Sequence, residues 1–266
     1  MRVAMCQLPV SDDPKINLER AREALTAAAE GGATLAVFPE ATMARFGSRL
    51  HEVAEPVDGP FATGLAEEAR RAGVAVVAGA FEPSGDGRIF NTALAIDAGG
   101  ELRAAYRKIH LFDAFGYRES DSIAPGGGPA VVELGGVRYG IITCYDIRFP
   151  ELARALVDRG AQVLLVIAAW GAGLFKEEHW VTLVRARAIE NTTWTIAVDQ
   201  VPDPEGRPGR APTGVGRSLA VDPMGVVRTD LGSGRRVEVV DIDLAENDQA
   251  RKAIPSLEHR RPDLFG

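Results

Sequence analysis

The chain has 266 residues, a formal net charge of −7 and a hydrophobic share of 46%, which are values of an ordinary globular protein. No apolar run approaches the roughly 18 residues that cross a bilayer, and the basic residues are dispersed, so neither a membrane nor a nucleic acid is an expected partner. Two cysteines are too few for a disulfide framework, and the N-terminal MRVAMCQLPVSDD has no signal-peptide pattern. We therefore expect a cytoplasmic protein.

Short apolar runs alternate with segments of helical spacing along the chain. The predicted strands are residues 2–8, 34–39, 74–80, 90–96, 101–107, 137–143, 162–168, 194–198, 218–221, 225–229 and 237–242. The predicted helices are residues 17–30, 61–71, 150–159, 177–191 and 244–253, with a Pro- and Gly-rich loop at 201–216 and an irregular tail after 255. This alternation predicts one α/β domain over residues 1–266, with helices covering the sheet; an α/β barrel fits the periodicity almost as well.

Three reactive side chains follow predicted strands. Glu40 comes after the apolar TLAVFP, Lys108 after ELRAAYR, and Cys144 directly after VRYGIIT. Catalytic groups in α/β sheets gather at the carboxyl ends of strands. We therefore expect these three side chains to meet in one pocket.

Cys144 carries the most distinctive chemistry. At a turn between a strand and a helix, its thiol is expected to be exposed at the sheet edge, where the helix N-terminus favours negative charge. The backbone N–H of Tyr145 would then face an oxyanion formed on attack. The alternative is a small buried apolar cysteine, and this is the interpretation we prefer for Cys6.

Glu40 and Lys108 both stand in apolar surroundings. A carboxylate after an apolar strand is expected to be buried, which suits it to proton transfer. A lysine within YRKIHLFD would need a carboxylate partner, and between two carboxylates it would keep its proton. The alternatives are a solvated strand-end carboxylate and a surface lysine.

Several motifs together resemble the nitrilase superfamily of carbon–nitrogen hydrolases, especially its small amidase, omega-amidase-like branch. They are AVFPE, YRKIHLFD, GYRES, ITCYDIRFPELARAL, EEHWVTLVRARAIEN, residues 218–225 and the terminal RRPDLFG. The resemblance covers nearly the whole chain, and its Glu, Lys and Cys elements occur in the family's order.

The resemblance implies a four-layer αββα sandwich, extended to eight layers in a homodimer. It also implies a catalytic triad of Cys144, Glu40 and Lys108, with a second glutamate at Glu119, which could otherwise be an ordinary loop acid. The expected reaction is hydrolysis of a small linear amide, through a thioester on Cys144, to a carboxylic acid and ammonia. No metal or organic cofactor is required.

Three alternatives to a simple amidase stay open. The first is an N-carbamoyl amino acid amidohydrolase or a nitrilase, and the second is a catalytically silent binding or scaffold protein on the same fold. The third is the glutaminase part of an ammonia-channelling synthetase, which would need a separate partner.

The substrate pocket is predicted less sharply than the triad. Arg148 either holds a substrate carboxylate, as an arginine in this neighbourhood does in similar enzymes, or forms a structural salt bridge with a helix acid. Six aromatic residues on nearby loops are candidates for the pocket lining or the core: Phe112, Phe115, Tyr117, Tyr145, Trp170 and Phe175.

Two places depart from the small-amidase pattern. Asp199-Gln200 stands where Asn-Arg is common in the family, and Arg217 stands where His is usual. Both lie near the Pro- and Gly-rich loop, so substrate choice is expected to differ from that of the better-known omega-amidases.

Overall fold

The computed structural model of the protein describes residues 1–202 and 211–265. Its strands are β1 (Arg2–Gln7), β2 (Leu35–Val37), β3 (Ala75–Pro83), β4 (Ile89–Ile96), β5 (Leu102–Arg107), β6 (Asp113–Ala114), β7 (Tyr117–Arg118), β8 (Val131–Leu134), β9 (Val137–Thr143), β10 (Val163–Ala168), β11 (Trp194–Asp199), β12 (Leu219–Val221), β13 (Val227–Asp230) and β14 (Arg236–Asp241). The helices are α1 (Pro14–Glu30), α2 (Leu50–Val53), α3 (Pro60–Ala72), α4 (Pro150–Asp158), α5 (Lys176–Asn191), α6 (Ala245–Ala253) and α7 (Pro262–Phe265), with 3₁₀ turns at Glu119–Asp121 and Cys144–Arg148.

Among the described residues, twelve of these strands form two six-stranded sheets. The first has the order β14-β1-β2-β3-β4-β5 and the second the order β13-β12-β11-β10-β9-β8, while β6 and β7 form a separate ribbon. Strands β1, β2 and β3 run parallel in the first sheet, and β9, β10 and β11 run parallel in the second. The sheets are open, so the barrel alternative is wrong.

Alternating side chains in the central strands explain the layering. In β1, Val3 and Met5 join the core between the sheets, whereas Ala4 and Cys6 face the core under α1 and α3. In β10, the set of residues 163, 165 and 167 faces the other sheet, and the set of residues 164, 166 and 168 packs with α4 and α5. A strand apolar on both faces must be covered on both faces. The result is the predicted four-layer αββα order.

Helix boundaries follow local chemistry. Helix α1 begins three residues before the predicted start, because Asp13 caps it by accepting the Lys15 N–H at 2.8 Å and Pro14 occupies the first turn. Helix α3 ends at Ala72, because the next residue, Gly73, takes the left-handed conformation with φ 68°.

The sequence analysis missed some short elements. It did not predict β6, β7, β8, α2 or the Glu119–Asp121 turn, all of five residues or fewer, because such short segments carry little periodicity. The irregular tail is wrong in part, since Pro262–Phe265 is a helical turn. Part of the predicted loop at 201–216, residues 203–210, lies outside the described residues.

The strand directions place several carboxyl ends at one edge of the sandwich. Glu40 follows β2, Lys108 follows β5, and Cys144 follows β9. Because β5 is antiparallel to β4 and β4 to β3, β5 runs in the direction of β2.

Among the helices in the described ranges, none has the length and apolar character of a membrane span.

Gly79 of β3 leaves room for the segment that carries Glu40. A Cβ at Gly79 would overlap the backbone of Glu40 and the amide nitrogen of Ala41. We expect Gly79→Ala to lower the free energy of unfolding by about 1–3 kcal/mol, the usual cost of overpacking. The matched control is Gly127→Ala in an open loop, where an added Cβ meets nothing within 4 Å; its effect should stay within about 0.5 kcal/mol. Urea unfolding of both variants measures this, and equal stabilities would contradict the prediction.

Candidate active site

One pocket at this edge collects the predicted reactive side chains. Its lining includes Glu40, Phe46, Lys108, Phe112, Tyr117, Glu119, Cys144, Tyr145, Ala169, Trp170, Gly171, Lys176 and Pro212. The empty space between them, open mouth included, is about 340 Å³. The first sheet supplies the carboxylate and ammonium groups of Glu40 and Lys108, and the second sheet supplies the thiol.

Glu40 is fully buried, and both carboxylate oxygens are hydrogen-bonded. Oε1 accepts from Asn91 Nδ2 at 2.7 Å and from Lys108 Nζ at 3.1 Å. Oε2 accepts the backbone N–H of Ala169 at 2.8 Å. These contacts come from both sheets, so the orientation of the carboxylate depends on how the two sheets pack.

Lys108 lies between two carboxylates. Its Nζ donates to Glu40 and also to both oxygens of Glu119, at 3.0 and 2.8 Å. Burial alone would lower the pKa of Lys108, but the Glu119 and Glu40 carboxylates hold that pKa well above its ordinary value. The lysine is therefore a permanent cation in this pocket.

The Glu119 carboxylate accepts a hydrogen bond from its own loop as well as from Lys108. Its Oε2 accepts the backbone N–H of Phe112 at 2.7 Å, and its Oε1 accepts from Asn91 Nδ2 at 3.2 Å. The Glu119–Asp121 turn places this acid, which is almost fully buried, beside Lys108. The contacts fit a group that positions the ammonium.

Cys144 occupies a strained turn directly after β9. Its φ is +47°, a left-handed value that is uncommon for a residue with a side chain and frequent at functional sites. The thiol is 7% exposed, so the expectation of an exposed thiol is wrong: the sulfur lies inside the sandwich, with the carbonyl of Ala169 at 3.9 Å. A 3₁₀ turn, Cys144–Arg148, follows the strand, and the predicted helix then begins at Pro150 as α4.

The electrostatic surroundings favour a protonated thiol at rest. Burial raises the pKa of Cys144 well above its ordinary value, Glu40 raises it further, and the lowering by Lys108 is smaller than these two. A thiol beside a carboxylate has a built-in proton acceptor. The arrangement thus suits deprotonation at the moment of attack.

A buried carboxylate supports the turn that carries the thiol. Asp146 Oδ2 accepts the hydroxyl of Tyr106 at 2.6 Å and the backbone N–H of Thr143 at 3.1 Å. Its Oδ1 accepts the N–H of His110 at 2.9 Å and contacts the ring Nδ1 at 2.7 Å. These contacts tie the turn to the chain on both sides of Lys108, at Tyr106 and at His110.

The predicted aromatic residues divide into two groups. Phe112, Tyr117, Tyr145 and Trp170 line the pocket. Phe115 and Phe175 do not, and they are 74% and 64% exposed. Both have positive φ values, 53° and 57°, and lie on exposed bends; the Phe115 ring still stacks against that of Phe112, with ring centres 6.2 Å apart.

Arg148 does not form the salt bridge that was one of the two expectations for it, and its role toward a substrate carboxylate stays a prediction. It is half-buried, and its guanidinium contacts His179 Nδ1 at 3.2 Å and stands 5.2 Å from the centre of the Trp170 ring. It does not line the pocket, and no acid of residues 1–202 and 211–265 forms an ion pair with it.

Three contributors escaped the sequence analysis. Asn91 links both glutamates, and its only sequence signal is a polar residue in the apolar strand β4. Ala169 acts through its backbone, which no side-chain pattern reveals. Lys176 is a charged residue among aromatic neighbours, a signal like the one used for Lys108.

Of the two departures from the family pattern, Asp199-Gln200 contacts residues of the site and Arg217 does not. Gln200 Nε2 donates to the carbonyl of Glu40 at 2.8 Å, and Asp199 accepts the backbone N–H of Trp170 at 2.8 Å. Arg217 lies one shell further out, where its side chain pairs with Asp230 at 2.6 Å and its carbonyl accepts from Trp180.

Within the described part of the chain, no group of three or more His, Cys, Asp or Glu side chains could hold a metal ion.

The chain matches the family model described as carbon-nitrogen hydrolase over residues 2–252. It is 45% identical over 267 residues to a hydrolase of Mycobacterium tuberculosis, covering 98% of this chain and 95% of that one. It is 33% identical over 265 residues to the deaminated glutathione amidase of Escherichia coli O157:H7, covering 98% and 97%.

The fold is also similar to that of a solved amidase structure. An amidase from Nesterenkonia, crystallised as a double mutant in complex with acrylamide, superposes with a TM-score of 0.84 at 30% identity. The match covers 100% of this chain and 95% of that one.

The role of Glu40 in holding the thiol protonated can be tested by alkylation. Because the Glu40 charge raises the pKa of Cys144, Glu40→Gln should lower that pKa. The alkylation rate by iodoacetamide should therefore rise at lower pH in the variant than in the wild type. Mass spectrometry over a pH series measures the rate, with buried Cys6 as the internal control that stays unlabelled. If the midpoint pH of the alkylation rate were unchanged or higher in Glu40→Gln, the assignment would be contradicted.

Proposed function

Since the chain belongs to the carbon–nitrogen hydrolase family, we propose that it hydrolyses a small linear amide of a carboxylic acid to the acid and ammonia. The family match confirms the resemblance to the nitrilase superfamily seen in the sequence. The observation that carries the proposal is the Lys108 ammonium held by Glu40 and Glu119 in the pocket that contains the Cys144 thiol.

In the first step, the Cys144 sulfur attacks the amide carbonyl carbon while Glu40 accepts the thiol proton. A C–S bond forms, and the carbonyl electron pair moves onto oxygen. The Lys108 ammonium and the backbone N–H of Tyr145 stabilise this oxyanion. Tyr145 is the second residue of its turn, where a helical N–H has no intrahelical acceptor.

In the second step, the C–N bond breaks and ammonia leaves with the proton from Glu40. A thioester on Cys144 remains. Water, deprotonated by Glu40, then attacks the thioester carbonyl, and the departing sulfur recovers a proton. Glu119 positions the Lys108 ammonium throughout, which its two hydrogen bonds to Nζ support.

The pocket and the relatives favour a small amide over a carbamoyl compound or a nitrile. Aromatic and apolar side chains surround the charged groups of the pocket, a lining that suits a small organic ligand. One relative is named as an amidase of deaminated glutathione, and the Nesterenkonia amidase is described in complex with acrylamide. Both names refer to amides.

We also propose that residues 1–266 act as one cytoplasmic carbon–nitrogen hydrolase domain that forms a homodimer. An exposed apolar patch supports the dimer, formed by Ile189 of α5 with Met224 and Val226 beside the β12–β13 turn. Contact of such a patch with a second copy would remove it from water. Sedimentation velocity tests this, and a monomer at working concentration would refute it.

Removing the nucleophile tests the mechanism. Cys144→Ala should reduce ammonia release by at least about a thousand-fold, because no other thiol lies in the pocket lining, and it should leave no acyl adduct in the intact-protein mass spectrum. Cys6→Ala is the matched control, since Cys6 lies in the core under α1 and α3 and should retain turnover. Circular dichroism confirms folding, and undiminished turnover by Cys144→Ala would refute the mechanism.

A substrate panel tests the reaction class. Ammonia release is measured from linear amides, N-carbamoyl amino acids and nitriles under identical conditions. We expect the highest kcat/KM for amides, because the relatives whose printed names give a substrate or ligand are described with amides. Turnover of carbamoyl compounds alone, of nitriles alone, or of none would reject the amidase proposal.

A further inference from the structure

Asp199 is a buried carboxyl group to which the proposed mechanism gives no task. It is the last residue of β11 and has no exposed surface. No cation of residues 1–202 and 211–265 forms an ion pair with it. Burial raises the pKa of Asp199 well above its ordinary value, and the backbone N–H groups that it accepts oppose that rise. Hydrogen bonds, and not a counter-charge, therefore hold this side chain in place.

Each oxygen of Asp199 accepts one backbone N–H, and the two donors belong to different walls of the Cys144 pocket. Oδ1 accepts from Trp170 at 2.8 Å, and Oδ2 accepts from Val215 at 2.7 Å. Trp170 lines the pocket itself, and Val215 follows Pro212, which also lines it. Asparagine, the residue common here in the family, has an acceptor oxygen at only one of these two places. The attachment at two points is thus a property of the carboxyl group in this chain.

The Trp170 N–H belongs to the same peptide group as the Ala169 carbonyl. A trans peptide is planar, with its N–H and its C=O on opposite sides. The Cys144 thiol donates to that carbonyl, with Sγ and the oxygen 3.9 Å apart. Asp199 and the thiol therefore contact the two ends of one rigid group, so a carboxyl group that fixes one end also fixes the other.

Ala169 also contacts the proton acceptor of the proposed reaction. Its N–H donates to Glu40 Oε2 at 2.8 Å. The base and the nucleophile, Cys144, are thus both bonded to this residue, one through its N–H and the other through its carbonyl. A shift of Ala169 would displace the thiol relative to the carboxylate, and a misplacement of about 1 Å can reduce a reaction rate about a hundredfold.

Asp199 is itself held by a chain of contacts that crosses the two sheets. Its backbone N–H donates to Ser218 Oγ at 3.0 Å, and that hydroxyl donates to Gln7 Oε1 at 2.7 Å. Gln7 Nε2 in turn donates to the carbonyls of Gly232 and Gly234, at 2.9 and 2.6 Å. The side chains of Gln7, Ser218 and Asp199 are all fully buried. A connected buried network of this kind gives its members one fixed arrangement.

We propose that Asp199 is a positioning residue of the reaction. By holding the peptide group between Ala169 and Trp170, it orients the Cys144 thiol beside the carboxylate that takes its proton. The effect on turnover rests on the proposed amidase function. The orientation of the thiol rests on the contacts alone, so it is testable without turnover.

The S–H stretching band of Cys144 reports this orientation, because a thiol that donates a hydrogen bond absorbs at lower frequency than a free thiol. Infrared difference spectra against Cys144→Ala isolate the band, and the band of buried Cys6, assigned with Cys6→Ala, is the internal reference. Asp199→Leu has a similar size and no acceptor, and Asp199→Ala also has no acceptor. Both should move the Cys144 band to higher frequency. An unmoved band in either folded variant overturns the proposal.

Asn247→Ala is the matched control, because Asn247 holds the opposite end of β11. Its Oδ1 accepts the Trp194 N–H at 3.1 Å, and its Nδ2 donates to the Gln162 carbonyl at 2.7 Å. This variant should be less stable in urea and should keep the wild-type S–H band. An equal shift of the band in Asn247→Ala would indicate a general loosening of the strand and would overturn the proposal.

Kinetics test the consequence for catalysis. With the most active amide of the panel, kcat for ammonia release should fall about tenfold or more in Asp199→Leu and Asp199→Ala, and it should stay within about twofold of wild type in Asn247→Ala. Asp199→Asn keeps the size of the side chain and introduces the residue common in the family, so it remains informative if the other two variants do not fold. Because it releases one of the two N–H groups, its kcat/KM should fall at least about fivefold. An unreduced kcat/KM in Asp199→Asn, or an unreduced kcat in folded Asp199→Leu or Asp199→Ala, overturns the proposal.

The two measurements keep this proposal and the proposed function distinguishable. A wild-type protein that releases no ammonia from any amide loses the amidase proposal, whereas the shift of the S–H band still decides the orientation of the thiol. An amidase in which Asp199→Leu changes neither the band nor kcat keeps its function, and Asp199 then has no positioning role.

Discussion

The site depends on one buried ion cluster, in which the Lys108 ammonium lies between the carboxylates of Glu40 and Glu119. Two negative charges and one positive charge without water are stable only where every oxygen is hydrogen-bonded. Asn91, Ala169 and the N–H of Phe112 supply those remaining bonds. Asn91, Phe112 and Ala169 come from distant parts of the chain, so the cluster is complete only when the whole sandwich has assembled.

Much of this arrangement was predictable because it follows from strand ends. Glu40, Lys108 and Cys144 each follow an apolar run, and the directions of β2, β5 and β9 bring them to one edge. What the sequence hid depends on tertiary contacts. Ala169 acts through its backbone, Cys144 is buried by elements far away in the chain, and Phe115 and Phe175 lie exposed on bends with positive φ. None of these has a local periodic signal.

Burial gives the nucleophile a particular chemical character. A thiol with a raised pKa is a weaker target for oxidants and electrophiles than a thiolate, because the thiolate is the reactive form. In the proposed mechanism, the adjacent carboxylate removes the thiol proton only when a carbonyl carbon is in place to accept the sulfur electron pair. Reactivity is thereby restricted to molecules that fit the pocket.

The division of the site between two sheets has a consequence for synthesis of the protein. Glu40 and Lys108 leave the ribosome on the first sheet, well before Cys144 and Ala169, and the first sheet lacks β14 until residues 236–241 pair with β1. A nascent chain with only its early strands has acid and base but no sulfur beside them. Catalytic activity should therefore appear late in synthesis and in one step, when the two sheets pack together. This order would protect a growing polypeptide from a prematurely activated thiol.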